Sequence, residues 1–97
     1  MTILLNNVDT DQDSDAFISK GGPYTVGVRA SEYGGATVDI QVALPGDDLE
    51  RFATLASGTF TADGTVKIDY LPPGYKLIAH LTGTTGPTDG VYVELTQ

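Results

Sequence analysis

Apolar residues recur at every second position through most of this chain, and a period of two commits a sequence to strands packed on one side and wet on the other. In Tyr24-Thr25-Val26-Gly27-Val28-Arg29, the side chains of Tyr24, Val26 and Val28 share one face, and Thr25, Gly27 and Arg29 share the other. Residues 36–44 repeat the pattern, with Val38, Ile40, Val42 and Leu44 inward and Thr37, Asp39, Gln41 and Ala43 outward. Val66, Ile68 and Tyr70 alternate with Lys67 and Asp69. Tyr75, Leu77, Ala79 and Leu81 alternate with Lys76, Ile78, His80 and Thr82, and Val91, Val93 and Leu95 line one face of residues 90–96. Thr2–Leu5, Phe17–Ser19, Arg51–Leu55 and Thr59–Thr61 are shorter strand candidates. Helical spacing competes only over Leu49–Ala56, where the alternation of Phe52 with Thr54 favours strand.

The segments between these runs carry turn chemistry. Ser31-Glu32-Tyr33-Gly34-Gly35 is expected to close a hairpin between the strands at 24–29 and 36–44, since glycine reaches positive φ without steric cost. Ala62-Asp63-Gly64 reads as a second hairpin turn. In Leu71-Pro72-Pro73-Gly74, proline presets the first corner and glycine the second, which predicts a type II turn. About eight short, mainly antiparallel strands at this spacing predict an all-β fold, a compact β-sandwich or jelly-roll-like barrel. A length of 97 residues gives room for one hydrophobic core. The expected organisation is an N-terminal strand or arm with an acidic linker over residues 1–15, then a single β-sandwich domain over 16–97.

Charge narrows the partners. Thirteen acidic residues against five basic ones give a formal net charge of −8, and Lys20, Arg29, Arg51, Lys67 and Lys76 are scattered rather than clustered. Such a surface repels phosphate, so nucleic acid is not an expected partner. The longest apolar runs, such as Ile3–Leu5, fall far below the ~20 residues of a membrane span, so no membrane insertion is expected. Met1-Thr2-Ile3 lacks a charged leader and an apolar leader core, which reads as a protein made in the cytoplasm. Without cysteine, no disulfide supports so small a core, and burial of sheet edges against another chain is one way to add stability.

Catalytic signals are sparse. The one imidazole, His80, lies on the outward face of its strand and reads as a solvent or interface histidine. No Walker loop, dinucleotide fingerprint, zincin helix or nucleophile elbow occurs. With one histidine and no cysteine, common zinc sites cannot be assembled within one chain. Asp9, Asp11, Asp13 and Asp15 alternate like ligands of a hard cation. An EF-hand loop counted from Asp9 nevertheless meets Ser14 where glycine must turn and Lys20 where a bidentate glutamate is needed. The segment is therefore expected to be a mobile, self-repelling linker, with no metal and no cofactor. Acid pairs such as Asp47 with Asp48, or Asp69 with Glu94, suit glycoside hydrolysis in principle, but a chain this small leaves little room for a deep cleft, and no enzymatic role is expected.

The succession Gly21-Gly22-Pro23-x-Thr25-Val26-x-Val28, Gly34-Gly35-Ala36-Thr37-Val38-x-Ile40-Gln41, Phe60-Thr61-Ala62-x-Gly64, Leu71-Pro72-Pro73-Gly74-x-x-Leu77 and Val91-x-Val93-x-Leu95 resembles small structural proteins of tailed bacteriophages. The similarity runs over roughly residues 16–96 and consists of turn glycines and strand alternation. It implies a virion component, foremost a capsid decoration or cement protein. Such a protein sits on the outer head surface and contacts the major capsid protein, as a homo-oligomer such as a trimer or dimer. Tail or fibre proteins and carbohydrate- or receptor-binding β modules are the alternative the resemblance leaves open. Candidate contact residues are Ile3, Leu4 and Leu5, which either add a strand to a neighbour or form the edge of their own sheet. Tyr33 is a further candidate at a glycine turn, and the outward Tyr92 and Ile78 are candidates too, although packing on a second sheet is the commoner fate of such side chains in a sandwich.

Overall fold

Strand pairing in the computed structural model, which describes residues 1–97, runs from the chain ends inward. The strands are β1 (Thr2–Val8), β2 (Gln12–Asp13), β3 (Phe17–Ile18), β4 (Tyr24–Arg29), β5 (Thr37–Ala43), β6 (Ala53–Phe60), β7 (Gly64–Ile68), β8 (Lys76–Thr82) and β9 (Val91–Thr96). β1 pairs with β9, β2 and β3 pair in succession with β8, β4 pairs with β7 and β5 with β6, all antiparallel. The chain is thus one long hairpin whose tip is the loop 44–52. Rolling this ribbon brings β4 against β9 and β5 against β8, and so divides it into two sheets. One has the order β1-β9-β4-β7; the other has the order β2-β8-β5-β6, with β3 also on β8. That connectivity is the jelly roll, an all-β sandwich.

The inward faces follow the alternation. Val26 and Val28 of β4 and Val91, Val93 and Leu95 of β9 meet Val38 and Ile40 of β5 and Leu77, Ala79 and Leu81 of β8 in one core. Valine is its commonest residue, since a branched Cβ packs well on a pleated, one-sided surface. Pro72-Pro73-Gly74-Tyr75 makes the expected turn: the Tyr75 amide donates to the Pro72 carbonyl at 3.4 Å, and Gly74 has φ +89°.

Four expectations are corrected. Ser31–Gly35 does not close a hairpin, because β4 and β5 lie in different sheets and the loop crosses between them. Gly34 is needed there for close approach as much as for its φ of +58°, since a Cβ on it would lie 2.4 Å from the Pro87 carbonyl oxygen. Ala62-Asp63-Gly64 likewise crosses between sheets, joining β6 to β7. Arg51–Leu55 and Thr59–Thr61 are parts of one region: β6 runs from Ala53 to Phe60 and carries a bulge, with Asp39 opposite Thr59 but Gln41 opposite Thr54. Finally, of the readings of residues 1–15 the edge strand stands, and the free arm and the acidic linker do not. β1 is an edge strand of its own sheet, β2 lies on β8, and Ser14 is buried with its amide donating to the Ala79 carbonyl (2.9 Å) and its hydroxyl accepting from the Ala79 amide (2.9 Å).

Ile40 is completely buried at the centre of β5. Replacing it with alanine is expected to lower the unfolding free energy by about 2–5 kcal/mol, read from the midpoint shift of urea denaturation at unchanged slope.

Candidate functional site

Because all strands are antiparallel, the loops gather at the two ends of the sandwich, and the ends differ in chemistry. One end receives the turn 19–23, the hairpin tip 44–52, the crossover 69–75 and residues Met1 and Gln97. Ser19 knits it together. Buried to 3% exposure, it donates its hydroxyl to the Leu71 carbonyl at 2.9 Å and accepts from the Gly21 amide at 3.0 Å. The Gly74 amide donates to the Ser19 carbonyl and the Leu71 amide to the Gly22 carbonyl, each at 2.9 Å. The hairpin tip is organised by Asp47, whose carboxylate accepts from the Arg51 guanidinium (2.9 Å) and from the Leu49 and Arg51 amides. The guanidinium bond is the main reason the Asp47 carboxyl titrates below the ordinary carboxylate range. Lys76 on β8 ties the tip to the sheet through Glu50.

On this ordered base, Met1, Ile18, Leu44, Leu49 and Tyr70 each expose more than half of their surface. Only one other large apolar residue, Ile3, is exposed, and it stands one register step up β1. The charge here is nearly balanced, with Asp47, Asp48, Glu50 and Asp69 against Lys20, Arg51 and Lys76. At the opposite end, the loops 9–11, 30–36, 61–63 and 83–90 carry Asp9, Asp11, Glu32, Asp63 and Asp89 against Arg29 alone. Most of the net negative charge therefore sits away from the apolar end.

The apolar end continues up one side of the sandwich, where the edges β1 and β3 part. Ile3 and Leu4 line a groove of about 240 Å³ with Thr2, Asp15, Ala16 and Phe17. Thr2 and Phe17 are shared with a second groove of about 190 Å³, which Met1, Lys20 and Leu95 also line. The remaining grooves measure about 210 and 270 Å³, so all four fall below the ~300–1,000 Å³ usual for small-molecule sites.

The residues singled out from the sequence separate into distinct environments. Ile3 is exposed. Leu5 is 3% exposed within the core and is unavailable to a partner. Leu4 is the extra residue of a bulge between Ile3 and Leu5, and it packs against the core. Ile78, on the outward face by alternation and open to either a partner contact or packing within the sandwich, is buried. Tyr33 is not at a hairpin tip; its ring packs on the core and its hydroxyl donates to Asp63 Oδ1 at 2.9 Å. Burial, reinforced by that carboxylate, pushes its phenol up to about 12. Tyr92 lies on the outer face of the four-stranded sheet and donates to Glu94 Oε1 at 2.8 Å, a bond that raises its phenol.

The four alternating aspartates do not converge. Asp11 accepts from the Thr84 hydroxyl (2.6 Å) and amide (3.0 Å), which lowers its carboxyl, while Asp13 turns to His80 Nδ1. No group of three or more His, Asp or Glu side chains is arranged to hold a metal ion. His80 stands in register between Asp13 on β2 and Asp39 on β5, and Asp39 in turn accepts from the Thr59 hydroxyl at 2.6 Å. Sequence reasoning missed Leu44 and Tyr70 because alternation, extended past the strand ends, turned them inward. Leu49 carried a signal of its own, an apolar residue isolated among Asp47, Asp48 and Glu50. Among known proteins, no family model, no curated protein and no solved structure matches this chain.

The Tyr33 environment is open to direct measurement. Its raised value means the fold favours the neutral phenol, so this contribution is complete below pH ~10 and is lost as pH rises through about 12. A phenolate absorbance titration is expected to show a late component near pH 12 that moves to lower pH in Asp63→Asn.

Proposed function

We propose that this domain is a structural component of a bacteriophage virion, most specifically a capsid decoration protein bound to the outer head surface through its apolar end. The observation that carries this reading is the asymmetry of the two ends. Interface centres are enriched in large apolar side chains, as the end bearing Leu44, Leu49, Tyr70 and Ile18 is. The hydrogen bonds of Ser19 and Asp47 fix the loops in advance, which lowers the ordering cost of association. The acidic end then points away from the head, and its charge opposes stacking of further copies.

The jelly roll supports the reading at the level of architecture, since capsid proteins use it, but lectins and enzymes use it too. In this proposal the partner is the major capsid protein, and each copy clips neighbouring capsomers together, alone or within a trimer or dimer. The chain is made in the host cytoplasm and ends on the virion surface. β1 plays no part as a donated strand, because it completes its own sheet. A tail- or fibre-associated role would use the same apolar end against a different partner.

The test is saturable co-sedimentation with undecorated heads, comparing the unaltered protein with the double variant Leu44→Asp, Leu49→Asp. Both side chains are exposed, so the thermal midpoint should hold while head binding falls at least about tenfold. Equal binding by the folded variant would remove the apolar end from the mechanism. Capture by tails and not by heads would move the domain to the tail.

A further inference from the structure

Gly27 occupies the middle of β4, a strand paired on both sides, and the fold gives it no reason to be glycine. Its φ is not positive, unlike that of the turn glycines. A Cβ built on it would meet only Thr65 Cγ2, at 3.7 Å, an ordinary contact. Glycine inside a strand costs about 0.5–1 kcal/mol relative to alanine, and β-branched residues are preferred there. An interior strand glycine of this kind is found where a ligand or another backbone approaches closely.

The missing side chain leaves a depression of about 210 Å³ on the outer face of the four-stranded sheet. Register builds its walls. Arg29 stands opposite Tyr92, Gly27 lies between Glu94 and Thr65, and Thr25 stands opposite Thr96. Tyr92 lines the depression and donates its hydroxyl to Glu94, whose carboxylate keeps further acceptor capacity. Arg29 donates through Nη1 to the Val28 and Gly64 carbonyls, and its other N–H groups remain at the rim. Thr25, Thr65 and Thr96 contribute hydroxyls that both donate and accept.

We propose that this groove binds a neutral saccharide, one ring seated over Gly27 with its C–H face against Tyr92 and its hydroxyls shared among Glu94, Arg29 and the threonines. A sugar ring presents an apolar face and a circle of groups that donate and accept together, and the groove offers the matching set. One carboxylate and one guanidinium balance within it, while the net charge of −8 disfavours an anionic sugar. The depression takes one ring, and its open sides let a longer glycan continue along the sheet. This site is separate from the apolar end and does not rest on the virion role.

The probe is an array of neutral glycans, followed by calorimetry with the best-retained saccharide. The unaltered protein and Leu44→Asp, Leu49→Asp should bind it alike. Gly27→Val should keep or raise the thermal midpoint, because its Cβ has room and its branch suits a strand, yet weaken binding at least about tenfold by filling the depression. Tyr92→Ala should weaken binding comparably. A silent array, or a folded Gly27→Val variant that binds as well as the unaltered protein, overturns the proposal.

Discussion

β9 holds this fold together, because it lies between β1 and β4 and so joins the first strand of the chain to the middle of the ribbon. Val91, Val93 and Leu95 are at most 2% exposed, and their outward alternates Tyr92, Glu94 and Thr96 form one wall of the groove over Gly27. One strand therefore supplies both core and surface chemistry. The partners are remote in sequence: Thr2 faces Leu95 and Gln12 faces Leu81. Loop closure must precede the reward of such contacts, so the topology belongs with slow-folding all-β domains. With no cysteine to hold the ends together, the buried faces must do so alone.

The same connectivity explains why the two ends of the molecule differ. At one end, serine and asparagine-like turn chemistry is supplied largely by aspartates. Asp11 binds Thr84, and Asp63 binds Ala30 and Tyr33, so each carboxylate stitches one loop to another while adding negative charge. At the other end, the stitching is done by Ser19 and by a compact set of ion pairs, Asp47 with Arg51 and Glu50 with Lys76. Around the apolar side chains exposed there, acidic and basic residues nearly offset one another. Holding loops by neutral or balanced contacts leaves a surface whose burial costs little desolvation, whereas the acidic end would lose much more solvation on contact.

The sequence made the faces of the strands legible and left their partners hidden. Tyr24, Val26, Val28, Val38, Ile40, Leu77, Ala79, Leu81, Val91, Val93 and Leu95 are inward as the alternation requires, because period two is a property of each strand by itself. Pairing is a property of two strands, and a glycine turn looks the same whether it closes a hairpin or carries the chain across a sandwich, as at Ser31–Gly35 and Ala62–Gly64. Bulges hide strands in a related way. Leu55–Gly58 breaks the alternation of β6, with Ser57 at φ +60°, and so one strand reads as two. At the surface, Ile3 and Tyr92 were legible as outward side chains. Leu4 and Leu5 were not separable from Ile3, because the bulge that turns both inward depends on the register with β9. The groove was invisible for a simpler reason: its central residue, Gly27, has no side chain to notice.

The exposed edges show where association is disfavoured. β1 departs from regular register twice, β2 and β3 are interrupted at residues 14–16, and β6 is bulged, so three of the four edges present broken ladders to any incoming strand. β7 alone pairs without a break, from Gly64 to Ile68. Its outward Lys67 is the kind of charge that blunts an edge, and Arg29 reaches over to the Gly64 carbonyl. A small disulfide-free sandwich gains stability by covering its edges, but these edges are built to remain single. What they leave for contact is the apolar end and the outer sheet face with its depression over Gly27. Side-chain chemistry, rather than backbone pairing, then decides what binds there.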